Sequence, residues 1–142
     1  MINYQIYTDG SCRANGNGGI GVVWLKNGEK VLEYSKGYKD VTNNIMELTA
    51  IYIALKSIKN PIDELIIVSD SEYAIGCIFN DKWNPKKNRE LIAKIKKQLI
   101  ETQKLVKFPI KCIHTYGHSD NKWNNLCDKL AQNESSINLK NE

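Results

Sequence analysis

Leu65-Ile66-Ile67-Val68-Ser69-Asp70-Ser71 is the stretch on which the reading of this fold turns. Four consecutive apolar residues describe a strand covered on both faces, because a strand with one wet face alternates apolar and polar positions. Such a strand belongs to a sheet with helices on both sides, which predicts an α/β domain. Ser69-Asp70-Ser71 stops the run and leaves Asp70 at the strand end.

Upstream, Ile2 to Thr8 and Gly21 to Leu25 read as strands from their β-branched and aromatic content. Lys30 to Tyr38 follows the turn-like Lys26-Asn27-Gly28 as a third strand, so the first part of the chain is an antiparallel meander. The Asn- and Gly-rich segment Ala14 to Gly21 reads as the hairpin loop between the first two strands; no helix follows it, so it is not a dinucleotide fingerprint. Thr42 or Asn43 caps a helix in which Leu48, Ile51, Leu55 and Ile58 recur at three- and four-residue steps, and which closes before Asn60-Pro61.

Downstream of Asp70 the pattern predicts a short helix to about Phe79, a polar connection from Asn80 to Asn88, and a helix with Leu91, Ile95 and Leu99 inward and lysines outward. Ile110 to Thr115 is the last strand, Tyr116 to Asp120 a loop, and Trp123, Leu126, Cys127, Leu130 and Ala131 the apolar stripe of a final helix. The expected order is β-β-β-α-β-α-α-β-α, a five-stranded mixed sheet with helices on both faces.

The 142 residues fit one domain, expected over residues 1–132, with the polar segment Asn133 to Glu142 as a frayed tail. A composition of 42% hydrophobic and 25% charged residues is that of an ordinary globular protein. No apolar run approaches the roughly 18 residues that span a bilayer, and the opening has no signal-peptide pattern, so an intracellular, cytoplasmic protein with no membrane partner is expected. Cys12, Cys77, Cys112 and Cys127 are irregularly spaced with no C-x-x-C pair, and are expected to be reduced packing residues.

The net charge of +4 is unevenly spread: ten of the 20 Lys and Arg residues lie between Lys82 and Lys111, against Glu90 and Glu101. A basic helical stripe is either the footprint of a polyanion, held by counterion release, or a solvated face.

Asp9, Glu47, Asp70 and Asp128 each sit where an apolar run ends or beside the packing stripe of a helix. The carboxyl ends of adjacent parallel strands form a crevice, and helices packed on the sheet deliver the other acids to it. Carboxylates gathered this way raise one another's pKa and call for a cation. Hard oxygen donors favour Mg²⁺ or Mn²⁺ over zinc, and Mg²⁺ commonly shares its coordination with substrate phosphates. Phosphoryl chemistry follows.

Tyr7-Thr8-Asp9-Gly10-Ser11-Cys12, Thr42-Asn43-Asn44-Ile45-Met46-Glu47-Leu48, Ser69-Asp70-Ser71-Glu72-Tyr73, and Gly117-His118 followed ten residues on by Asp128 in Asn125-Leu126-Cys127-Asp128-Lys129-Leu130-Ala131 resemble the motifs of type 1 ribonuclease H. The resemblance runs from Met1 to about Gln132. It implies a ribonuclease H-like fold and endonucleolytic cleavage of the RNA strand of an RNA·DNA hybrid with two Mg²⁺ ions, giving 5′-phosphate and 3′-hydroxyl ends. By the same resemblance Asp9, Glu47, Asp70 and Asp128 are the metal-binding catalytic acids, and His118 is a loop histidine suited to proton transfer or product release. Asn15, Asn43 and Asn44 match positions facing the hybrid's minor groove, where 2′-hydroxyls are exposed, and Thr42 matches a contributor to a pocket for a DNA-strand phosphate. His114 has no such match and is expected to be a plain strand residue.

The chain departs from the family pattern in three places. The connection Asp81-Lys82-Trp83-Asn84-Pro85-Lys86-Lys87 stands where many members carry a long basic insertion, so hybrid binding is expected to be weaker, partly offset by Lys86, Lys87, Lys94 and Lys97. Trp83 is expected either to flank the DNA strand or to pack in the core. Asp40 replaces a basic phosphate contact, and Glu72 replaces a neutral Gln, adding a fifth carboxylate that tunes metal affinity or bonds a sugar. A freestanding monomer is expected. The competing readings are a noncatalytic binding module on the same scaffold and a related nuclease acting on DNA junctions or double-stranded RNA.

Overall fold

In a computed structural model that describes residues 1–115 and 121–137, the opening meander consists of β1 (Asn3–Cys12), β2 (Gly18–Lys26) and β3 (Glu29–Tyr38). Helix α1 (Asn43–Lys56) leads to β4 (Glu64–Ser69), α2 (Glu72–Phe79), α3 (Arg89–Gln103), β5 (Lys111–His114) and α4 (Lys122–Ser136). The sheet order is β3-β2-β1-β4-β5, with β1–β2 and β2–β3 antiparallel and β1–β4 and β4–β5 parallel. This is the mixed five-stranded sheet expected from the sequence.

Strand alternation divides the core between two faces. Ile6, Val22, Trp24, Leu65 and Ile67 point into the larger cluster with Leu48, Ile51 and Leu55 of α1 and Ile92 and Ile95 of α3. Tyr7, Val23, Leu25 and Val68 point the other way, against Cys127 of α4, with Trp123, Leu126 and Leu130 packed around them. The continuous apolar run of β4 is thereby explained, because successive side chains are claimed by different faces.

The termini of several elements differ from the sequence expectation, and close packing is the reason. β1 continues past Thr8 to Cys12, and β2 begins at Gly18, so Gly18 and Gly19, expected in a loop, are strand residues; the loop, with Gly16, is confined to 13–17. A Cβ at Gly19 would collide with the Ala131 carbonyl, and one at Gly21 with the Cys127 carbonyl, so these glycines let the backbone of α4 lie directly on β2. Helix α4 also runs past Asn133, where a frayed tail was expected, through Ser136. Ser135 is buried against the strands and Glu134 accepts a 2.8 Å hydrogen bond from Ser35 on β3, which holds that last turn. Residues 138–142 of the expected tail lie outside the described residues.

Gly21→Ala is expected to cost about 1–3 kcal/mol by overpacking, read as a lower urea midpoint. Gly28→Ala, where nothing lies within 4 Å of an added Cβ, is expected to show only the smaller strain of its positive φ.

Candidate metal centre and nucleic-acid interface

Beyond the last parallel rungs, Thr8↔Ser69 and Ser69↔His114, the strands part, and Asp9 and Asp70 each stand one residue past this limit. Asp9 is not a strand-end residue, as the sequence suggested. It stays within β1, paired with Gly21 on the antiparallel side, and is therefore rigidly placed. Helix α1 delivers the third acid. Thr42 caps it by accepting from Ile45 N at 3.2 Å, and Gly10 lets the backbone at Met46 and Glu47 press onto β1, because a Cβ there would clash with both residues. Glu47, expected at the margin of the packing face, is instead buried over the strand.

One carboxylate oxygen each of Asp9, Glu47 and Asp70 lies within 4.8 Å of the others. Asp9 is 2% and Glu47 6% exposed, whereas Asp70 is half-buried. Asp9 Oδ1 accepts from Gly10 N at 2.9 Å, but Asp9 Oδ2, Glu47 Oε1 and Asp70 Oδ1 are buried with no hydrogen-bond partner among the described residues. Three orphaned carboxyl oxygens gathered this closely suit a hard cation, and among the described residues no Cys or His donor joins the cluster, which agrees with that choice.

Asp128 occupies the rim. It is exposed on α4 and accepts from Gln132 Nε2 at 3.0 Å; it lies outside the trio of mutually close acids, yet it bears on Asp9 through a side-chain hydrogen bond and through its charge. Its helix is fixed to the strand of Asp9 through Tyr7. Asn121, the α4 cap, donates to the Tyr7 hydroxyl at 3.0 Å, and the Cys127 thiol donates to the Tyr7 carbonyl at 3.2 Å.

Burial is the main force on these groups. It pushes the Asp9 carboxyl up to about 8, reinforced by the charges of Asp70 and Asp128. Burial and then the charges of Asp9 and Asp70 drive Glu47 well above the carboxylate range. Burial likewise raises the thiols of Cys77, Cys112 and Cys127, so they behave as inert packing groups; all four cysteines are unpaired.

The described residues expected to meet nucleic acid lie at the surface. Asn15, Thr42, Asn43 and Asn44 line the surface beside α1, and Val41 N donates to Gly16 O at 3.1 Å, which ties the turn of Asn15 to the start of that helix. Asn15 Oδ1 also accepts from Asn17 N at 3.0 Å, so it has a turn role as well. Asp40 precedes this junction in the left-handed region at φ 55°. Trp83 is not a core residue: it is 42% exposed, and its indole lies against Gly76, where a Cβ would strike the ring. With Glu72, Asn80 and His114 it borders an open cavity of about 340 Å³. Lys86 and Lys87 follow it in the connection to α3, and Lys94 on that helix lies 4.7 Å from the Tyr52 ring centre. His118 lies outside the described residues.

Two features were missed in the sequence. The i, i+2 spacing of Gly19 and Gly21 inside a β-branched run was a signal for close helix approach. His114 gave no signal, yet its Nε2 lies 3.2 Å from the Asp70 carbonyl.

With raised carboxyl pKa values the folded state takes up protons more readily than the unfolded chain, whose aspartates titrate near 3.8. The cation-free protein is therefore expected to be most stable near pH 4, as far as these groups decide, and to lose stability as pH rises toward 8. Thermal melts with chelator should show that loss, and added Mg²⁺ should restore the melting temperature at pH 8 far more than at pH 5. Asp9→Asn should raise the chelator-treated melting temperature at pH 8.

Comparison with known proteins agrees with this geometry. The family model described as RNase H matches residues 2–136. A ribonuclease H of Clostridium botulinum is 42% identical over 92% of this chain and 94% of its own length. One of Acetivibrio thermocellus is 40% identical over 99% of both chains, and one of Caldanaerobacter subterraneus 39% identical over 96% of this chain and 93% of its own. Matched along nearly its whole length, with the acids gathered at the open end of its parallel strands, the chain belongs to the ribonuclease H family.

Proposed function

We propose that this protein is an endonuclease that hydrolyses the RNA strand of RNA·DNA hybrids, with Asp9, Glu47, Asp70 and Asp128 holding two divalent cations, Mg²⁺ or in its place Mn²⁺. The observation that carries this reading is the convergence of Asp9, Glu47 and Asp70 with a buried, unpartnered oxygen on each. When bound, such cations neutralise the carboxylates and supply Lewis acidity for attack of water on a phosphodiester. Asp9 and Glu47, held on β1 and α1, keep the centre fixed while Asp70 and the exposed Asp128 face the substrate side. In-line displacement of the 3′ oxygen gives 5′-phosphate and 3′-hydroxyl products. His118 is the proton carrier of this reading, as its match to the family's loop histidine suggests.

Selectivity comes from the exposed surface. Asn15, Asn43 and Asn44 present amides that both donate and accept, which suits 2′-hydroxyls in a minor groove. Thr42, though its hydroxyl oxygen caps α1, keeps an O–H to donate to a DNA phosphate. Trp83, Lys86 and Lys87 meet the DNA strand, the indole by stacking and the lysines through phosphates. Glu72, exposed at the start of α2, bonds a sugar. Among the described residues no helix is long and apolar enough to cross a membrane. The unpaired thiols support a reducing intracellular, cytoplasmic setting, where the protein acts as a monomer.

Labelled RNA·DNA, RNA·RNA and DNA·DNA duplexes incubated with the protein in Mg²⁺, Mn²⁺ or chelator test the assignment. Only the hybrid should be cut, and only with metal. Asp9→Asn and Asp70→Asn should abolish cleavage while leaving the circular dichroism spectrum unchanged; an Asp9→Asn protein as fast as wild type would show the centre to lie elsewhere. Replacing Lys86 and Lys87 by Gln should weaken hybrid binding and reduce the slope of log K against log salt by about 0.9 for each phosphate that is no longer neutralised.

A further inference from the structure

Asp70 is the least buried of the converging acids and follows the last rung of both parallel ladders. Its neighbours are held on either side. Ser69 O accepts from Thr115 N at 2.9 Å, Ser71 N donates to Ser69 Oγ at 3.1 Å, and Ser71 Oγ caps α2 by accepting from Ala74 N at 3.1 Å. Among the described residues, the ring of His114 ties the Asp70 carbonyl to another element, its Nε2 lying 3.2 Å from that oxygen. A carbonyl only accepts, so Nε2 carries the proton and donates. His114 is the last residue of β5, paired with Ser69, and half-buried, so its backbone is anchored where the ring is needed.

We infer that His114 is a positioning residue of the metal centre: by holding the carbonyl of Asp70 it fixes the peptide plane at the strand-to-helix junction, and so the direction in which the Asp70 carboxylate enters the acidic cluster. Rotation about the Asp70 N–Cα bond moves Cβ and the carbonyl together, so a bond that holds the carbonyl also keeps Asp70 Oδ1 from swinging away from Asp9 and Glu47. Partners that orient a ligand in this way commonly set metal affinity. The inference rests on reading Asp70 as a cation ligand.

The test compares His114→Phe, which fills the space without a donor, with His114→Gln, whose side-chain Nε2 still donates. Mn²⁺ isotherms on the full chain, cation-free melting temperatures, and kcat and KM on an RNA·DNA hybrid are measured for each. His114→Phe should bind Mn²⁺ on the order of 10-fold more weakly, need correspondingly more metal for half-maximal rate, and keep the wild-type hybrid KM at saturating metal. His114→Gln should restore most of the Mn²⁺ affinity. Wild-type Mn²⁺ binding by His114→Phe, or equal impairment of both variants, would overturn the inference. So would a raised hybrid KM with an unchanged isotherm, which would make the ring a substrate contact. Should His114→Phe not fold, His114→Leu takes its place, and failure of both to fold would assign the ring to packing alone. Wild-type protein that binds Mn²⁺ but leaves every hybrid intact would instead overturn the nuclease assignment, while the isotherms would still judge His114.

Discussion

Mutual repulsion among buried carboxylates is the constraint that the rest of this molecule is built to withstand. Asp9, Glu47 and Asp70 are held close around one point, two of them almost wholly out of water. Left to itself such a group would separate or take up protons. Separation is opposed because each acid stands on an element fixed by packing elsewhere. β1 is an inner strand between β2 and β4, α1 is pressed onto it at Gly10, and the β4–α2 junction is stapled by Ser69, Ser71 and His114. The apolar clusters on both faces provide the stability against which the repulsion is set.

The opposite face of the sheet serves the same centre through one side chain. Tyr7 stands two residues before Asp9, and both its main-chain carbonyl and its hydroxyl are bonded to α4 and its cap, the helix that carries Asp128. Gly19 and Gly21 remove the side chains that would lift that helix away. The rim acid is therefore in register with the buried ones through short polar links and backbone packing, and not through a chain of flexible side chains.

Much of this was legible from residue pattern. The run Leu65 to Val68 identified an inner strand because both of its faces had to be covered, and the helical spacing of Leu48, Ile51 and Leu55 identified the face α1 turns to the sheet. The acids could be nominated because each lies at the edge of such a pattern. What could not be read was distance. Nothing in the spacing of Asp128 distinguishes a fully converged ligand from one on the rim, since that depends on how closely α4 approaches β2. Loop and strand were confused at Gly18 to Gly21 because glycine permits both, and tertiary packing decided. The end of α4 was misplaced because Glu134 and Ser135 look solvent-bound until their strand partners are known.

The hydrogen bond from Val41 to Gly16 ties the turn that carries Asn15 to the residue just before the Thr42 cap of α1. A backbone that is already tied forfeits less freedom when a partner binds. If Asn15, Asn43 and Asn44 meet a duplex as proposed, the surface would act as a gauge of groove width: a helix whose minor groove matches the spacing of those amides would engage all of them at once, and a mismatched one would forgo several together. Discrimination between duplex geometries would then be steep, even where each separate hydrogen bond is weak.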